Sequence, residues 1–388
     1  MNSCEHSLTS RMADKTAWAV YLLVNSAFIL KYTARTPYSP LLFLVLWLVA
    51  AAAVVWAFRR IVRSEQRARW ATIAMTVAAV ALIAALLIVV DPLSVNVDRW
   101  SATTYWLDAL FDGVYPYGVH THVCETNYPS PFPLWHYLNL PFWLMGDVGL
   151  GLIFFLLLLV VTLQWFRRSW RLTAQALLLL LLSPAYWWEV AVRSDGLSNA
   201  ILIFCVVLFM ERRRISFTTQ WPLAALIVGL AASTRLSAII PLGLYLAASY
   251  LRSSRQSLCL SPLIVVAVVA AFFMPFILWD TTTWPFLSRN PLLTQSSTGN
   301  PWTLLAMAAV ALLLILRYNK NLWRYMNSTA AFMFLFFLVA ITYNHLVNHA
   351  GTHPFDDADF DISYLTLSMP YALYAIAAQK NSTPLQSA

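Results

Sequence analysis

Charge is what this chain has least of. Only 11% of its 388 residues are Asp, Glu, Lys or Arg, less than half of the roughly 25% that an ordinary soluble domain uses to wet its surface. A soluble globular enzyme is excluded. Glycine is scarce as well, 10 residues in all, which removes collagen-like and flexible low-complexity chains. Four cysteines occur, and the topology derived below puts Cys4 inside, Cys124 outside and Cys205 and Cys259 within spans, so neither a disulfide framework nor a cysteine metal site is implied. Glycine-rich phosphate loops, zinc-protease helices and nucleophile-elbow signatures are missing, and nothing suggests a nucleotide site. There is no internal repeat of roughly 20 to 50 residues and no clear duplication of the two halves, which weakens transporter folds built from inverted repeats.

What the chain does have is hydrophobicity, 60% of its residues, together with 17 Trp and 17 Tyr, aromatic types that gather at membrane interfaces. A hydrocarbon core of roughly 30 Å needs about 20 apolar residues of helix to cross it. Twelve apolar stretches answer to this, at 15–31, 41–58, 71–90, 147–166, 172–190, 198–211, 221–234, 236–251, 258–279, 301–316, 328–345 and 361–378. Their hydrophobicity is continuous, not alternating, so they read as helices and not as barrel strands. The expected fold is an all-α polytopic integral membrane protein with about twelve transmembrane helices. The first run is long and lacks a small-residue cleavage site, so it is expected to remain as an anchor.

Lys and Arg orient the spans. With both termini in the cytoplasm, 19 of the 25 basic residues fall inside, leaving Lys31, Arg35, Arg99, Arg193, Arg235 and Arg289 outside. That is the positive-inside bias. The acids run the other way, so the net charge of +8 reflects topology, and nucleic acid is not needed as a partner. A bacterial cytoplasmic (inner) membrane is the expected location.

Transport through the bilayer usually leaves ionisable residues or broken helices at its midplane. Here the candidate groups gather instead at the outer ends of the spans, in 91–146, 189–199, 233–235, 280–300 and 345–361. The loop 91–146 is the richest. Within 99–112, Trp100, Tyr105, Leu107, Leu110 and Phe111 partly recur at helical spacing and Gly113 stands where the helix should end, a pattern for an amphipathic helix lying on the membrane. A second interfacial helix is expected over 134–145. Asp98 heads the first one. A carboxylate there is placed to accept a proton from an attacking hydroxyl, and it also stands at the helix N-cap, where Asp is strongly preferred; the two roles are compatible. Asp91 before Pro92 reads as a turn initiator, and Asp108 and Asp112 as a solvated face.

His120 and His122, with Glu125, resemble half of a metal site, and a divalent metal could take part. Arg193 and Asp195 read either as a local ion pair or as part of a polar cavity, because an arginine at membrane depth is costly unless paired. Arg235 has no acid adjacent in sequence, and an external anion such as phosphate would satisfy it. Arg289 beside Asn290 reads as solvent-exposed. Asp356, Asp357, Asp359 and Asp361 read mostly as solvated charge, and His345, His349 and His353 recur every four residues at a helix exit.

The strings VDRWS from Val97, GVYPYG from Gly113, RSDG from Arg193, STR from Ser233, NPLLTQSS from Asn290 and FDISY from Phe360 resemble those of an uncharacterised bacterial branch of the GT-C glycosyltransferases. The resemblance covers most of the chain after about residue 70. It implies a seven-helix core over 71–279, preceded by two N-terminal helices and a basic cytoplasmic loop in 1–70 and followed by an outer loop and further helices in 280–388. It also implies sugar transfer from a polyprenyl-phosphate donor to a glycan, lipid or protein acceptor hydroxyl, with inversion. Asp98 falls where that family carries its catalytic acid, and Arg235 or Arg193 would neutralise the phosphate leaving group. Asp195, Arg289, Tyr117 and Asn290 complete the expected substrate-binding set, and no resident metal is assigned. Two departures stand out: two spans precede the core, and no large soluble domain follows the last helix. A lipid or solute transporter and a noncatalytic membrane assembly protein are the rival classes.

Overall fold

The computed structural model describes residues 2–296, 300–317, 321–348, 353–355 and 360–378. His349, Asp356, Asp357 and Asp359 lie outside the described residues. Among those described there are helices and no strands. In chain order the helices are α1 (Asn2–Thr33), α2 (Pro40–Ile61), α3 (Glu65–Val89), α4 (Arg99–Phe111), α5 (Pro133–Leu144), α6 (Leu150–Arg167), α7 (Trp170–Leu181), α8 (Pro184–Ala191) and α9 (Asp195–Arg213). They continue with α10 (Trp221–Ala232), α11 (Ile239–Leu251), α12 (Arg255–Ile277), α13 (Pro285–Ser288), α14 (Pro291–Ser296), α15 (Pro301–Arg317), α16 (Leu322–Asn348) and α17 (Met369–Ala378).

Every apolar stretch read from the sequence falls on helix, but the helices differ in reach. Five of them, α2, α3, α6, α12 and α16, are long and apolar enough to cross a membrane, or six spans if the bent pair α7 and α8 is counted as one. The expected unbroken span 172–190 is therefore corrected to two helices bent by 68°. Pro184 causes the break, because it has no N–H to give and its ring clashes with the preceding turn. The polar groups freed there are satisfied by neighbours. Trp47 Nε1 donates to Leu182 O at 2.9 Å, Trp187 Nε1 to Leu181 O at 2.7 Å, and Asn25 Oδ1 accepts from Ser183 Oγ and Ala185 N. Residues 361–378 are also not one regular helix. Asp361 caps a 3-10 segment, Ile362–Ser368, through Ser363 N at 3.0 Å, and α17 follows it.

The chain divides into two compact units, one of residues 1–80, 160–188 and 300–388, the other of 81–159 and 189–299. In the first, α16 packs on α1, α17 and the 3-10 segment, and α17 is buried along its whole length. Helix α2 has no buried residue, as expected of a helix whose solvent is hydrocarbon.

The second unit contains the loop 91–146. Its core is aromatic, with Trp106, Leu107, Tyr117, Val148 and Phe276 buried together. The two helices expected in this loop are present as α4 and α5, and Gly113, at φ +71°, lets the chain turn after α4. Carboxylate–indole bonds hold α4 in place. Asp108 accepts from Trp143 Nε1 at 2.8 Å on α5, where Phe111 also stacks on Trp143 at 4.9 Å, and Asp147 accepts from Trp100 Nε1 at 3.2 Å. Of the two acids read as a solvated face, Asp112 is exposed and Asp108 is spent on this bond. The start of α5 is docked by its backbone: Phe132 N donates to Thr234 O and Leu134 N to Ser233 O.

Candidate functional site

Asp98 precedes α4 and is half-buried. Its backbone, φ −81° and ψ 1°, is not extended, and its side chain does not reach the amides of the first turn. It is an N-cap by position only. Its carbonyl accepts from Ala102 N at 2.8 Å and Ser101 Oγ at 3.1 Å, while the carboxylate makes no hydrogen bond or ion pair among the described residues. Asp91 shows the contrast: its carboxylate does cap, accepting from Leu93 N at 3.0 Å. Beside Asp98 the imidazole of His122 is held at both nitrogens. Nε2 donates to Val95 O, which can only accept, at 3.1 Å, and Nδ1 lies 2.7 Å from Ser101 Oγ. His120 sits instead against the Tyr128 ring, centroids 4.8 Å apart. The histidines therefore do not converge, and among the described residues no three His, Cys, Asp or Glu side chains come together as a metal site would need.

The arginines are paired differently from the order in the chain. Arg193 stands in the left-handed region at φ +51° and turns its buried guanidinium back toward the end of α3. There Nη2 donates to Leu87 O at 2.8 Å, Nη1 to Val90 O at 3.0 Å and Nε to Asp147 Oδ2 at 2.9 Å. It thereby satisfies carbonyls that a helix C-terminus leaves without partners. Asp195, two residues on in the first turn of α9, pairs with Arg235, both side chains being buried. Of the two readings of Arg193 and Asp195, the local ion pair is replaced by these two pairs, and Arg235, with no acid adjacent in sequence, finds one 40 residues away.

Asp147 is not conspicuous in the sequence, because it stands at the first position of an apolar run. Its carboxylate accepts from Arg193, from Trp100 Nε1 and from Gly149 N at 2.7 Å. The available signal was the tetrapeptide Gly146-Asp147-Val148-Gly149, with an acid between two glycines where a loop enters an apolar run. Through Trp100 and Arg193 this one carboxylate connects the start of α4, next to Asp98, to the end of α3 and the start of α9.

A small pocket, with room for about one water molecule, lies beside this frame, lined by Thr103, Trp135, Asn139, Arg193, Ser194 and Asp195 among others. Ser194 Oγ and Trp135 Nε1 are buried without a hydrogen-bond partner. No family model matches the chain, and no curated protein or solved structure matches it. The site therefore rests on its own chemistry.

The other expected substrate residues lie elsewhere. Tyr117 is buried in the aromatic core, its hydroxyl donating to Pro131 O at 3.2 Å, and burial holds the phenol well above its ordinary pKa. Next to it His136, fully buried and stacked on Trp106 at 4.1 Å, has its pKa pulled down to about 3, by burial first and then by the Arg235 charge, against a bond to Pro131 O. Both are neutral groups in the packing. Arg289 is exposed, with its guanidinium over the Tyr128 ring at 4.3 Å. Asn290 caps α14, accepting from Leu293 N at 3.0 Å while its amide donates to Phe286 O.

Proposed function

We propose that this chain is a membrane glycosyltransferase of the GT-C kind, in a bacterial inner membrane, that moves a sugar from a polyprenyl-phosphate carrier to an acceptor hydroxyl at the outer face. On this reading the twelve apolar stretches make up its membrane domain, and the seven-helix core lies within 71–279. The observation that carries the reading is the state of Asp98, a half-buried carboxylate at the head of α4 with no partner among the described residues. A base must keep its lone pairs for the substrate, and a capping or ion-paired aspartate would not. In the reaction, Asp98 takes the proton of the acceptor hydroxyl as its oxygen bonds to the anomeric carbon from the face opposite the phosphate. The carbon–oxygen bond to phosphate breaks with its electron pair leaving on the phosphate, which inverts the configuration.

Arg193 and Arg235 enter this reading in a changed role. Each is held by an internal carboxylate, so they frame the site and set where α4 and α9 begin. The test is transfer from a radiolabelled polyprenyl-phosphate sugar by purified protein. Asp98→Asn should lower the rate by about 10²- to 10⁴-fold, the usual worth of a general base, while leaving the protein folded. Undiminished transfer would remove Asp98 from the mechanism. Uptake of solute by proteoliposomes, with no transfer, would favour the transporter class instead.

A further inference from the structure

A carboxylate with no hydrogen bond of its own is aimed by the backbone beneath it, and around Asp98 that backbone has little regular structure. Residues 95–98 lie between the 3-10 turn Pro92–Ser94 and the start of α4, in neither helix nor strand. The imidazole of His122 reaches both sides of this stretch. Nε2 donates to Val95 O at 3.1 Å, three residues before Asp98, and Nδ1 lies 2.7 Å from Ser101 Oγ, three residues after it. The backbone doubles the second contact: His122 N donates to Ser101 Oγ at 3.3 Å, and that hydroxyl lies 3.1 Å from the carbonyl of Asp98 itself. Ser101 is fully buried, so its hydroxyl must find its partners inside the protein. His122 is presented by a small closed loop, in which Thr121 N donates to Asn127 O at 2.9 Å and Asn127 N to Cys124 O at 3.0 Å. Both ring nitrogens are engaged within the protein, so the imidazole is arranged to hold a segment and not to meet a ligand.

We propose that His122, acting through Val95 and Ser101, is a positioning residue that sets where the Asp98 carboxylate stands. The proposal rests on the transfer reading of Asp98 and adds to it a residue that does not touch the substrate. Position matters because a base must stand within hydrogen-bond reach of the hydroxyl it deprotonates, and a displacement of about 1 Å costs roughly 10²-fold in rate.

Native protein, His122→Ala, His122→Gln, Ser101→Ala and Asp98→Asn are compared as full chains in detergent, first by amide hydrogen exchange without donor or acceptor, then by transfer from the radiolabelled polyprenyl-phosphate sugar. Val97 N donates to Val95 O and Ala102 N to Asp98 O, so exchange over 95–102 reads the clamp. In His122→Ala it should quicken about tenfold, the worth of one or two neutral hydrogen bonds, while α12 exchanges as in the native chain. In the same variant kcat should fall about 10- to 100-fold with KM changed by less than about twofold. His122→Gln, whose amide N–H extends to where Nε2 donates, should recover part of the loss, and Ser101→Ala should show a smaller one. Added to Asp98→Asn, His122→Ala should lower the residual transfer no further, because it acts through Asp98. Unchanged exchange in His122→Ala, a rise in KM in place of the fall in kcat, or a further loss on top of Asp98→Asn overturns the proposal. If His122→Ala does not fold, His122→Gln and Ser101→Ala, each of which keeps part of the clamp, decide it on the same criteria. Native protein that transfers nothing removes the transfer reading and this proposal together. Native transfer that is lost in Asp98→Asn and unaltered in His122→Ala removes this proposal alone.

Discussion

Asp147 and Asp98 are the same residue type on the same loop system, and their surroundings give them opposite worth. Asp147 is spent on Arg193, Trp100 and Gly149, and Asp147→Ala strands a buried guanidinium. That should cost about 3 kcal/mol, in the range for breaking one side of a buried pair, read as a lower melting temperature in detergent. Asp147→Asn keeps an acceptor and should lose less. Asp98 has no bond to lose, so Asp98→Asn should change stability by no more than about 0.5 kcal/mol. His136 sets a pH dependence. It stays neutral in the fold with a pKa near 3, whereas an unfolded histidine titrates near 6.5, so below about pH 6.5 the unfolded chain binds a proton the folded one does not. Stability should then fall as pH falls, by at most about 1.4 kcal/mol per unit between those values, and His136→Gln should flatten melting curves taken from pH 7 to pH 5. The sequence made Asp98, Arg193 and Arg235 conspicuous, because an ionisable residue at the end of an apolar run has to be explained. It could not show that Asp98 stays unengaged.

At the level of the elements, small backbone features decide where helices stop and how closely they approach. Pro184 turns one expected span into two, and the indoles of Trp47 and Trp187 take up the carbonyls it frees. Proline was readable in the sequence; the rescue of the broken turn by side chains far along the chain was not. Gly149 stands where a Cβ would come within 2.6 Å of Leu87 Cδ2 and 3.0 Å of Arg193 Cγ. Gly149→Ala should therefore displace the Arg193 side chain at about 1 to 3 kcal/mol, the ordinary cost of overpacking. Since it acts on the same contacts as Asp147→Ala, the double variant should lose less than the sum of the two in a calorimetric cycle.

At the level of the molecule, the distribution of charge makes a prediction about sidedness. Cys124 is exposed, and its thiol pKa is lowered, chiefly by the Thr126 hydroxyl, so it should react readily with a membrane-impermeant maleimide added to intact cells. Cys205 is buried and should stay unlabelled. Labelling of Cys124 only after the membrane is opened would reverse the orientation. The all-helical class and the position of the long apolar helices could be read from the chain alone, because hydrophobicity is a sum over neighbouring residues, whereas the bend at Pro184 and the 3-10 segment before α17 could not. The pairing of acids with arginines, the role of Asp147 and the isolation of Asp98 needed the fold. Arg193 meets an acid 46 residues away and Arg235 one 40 residues away. An ion pair is set by where two side chains end in space, and the composition around either one carries no record of that.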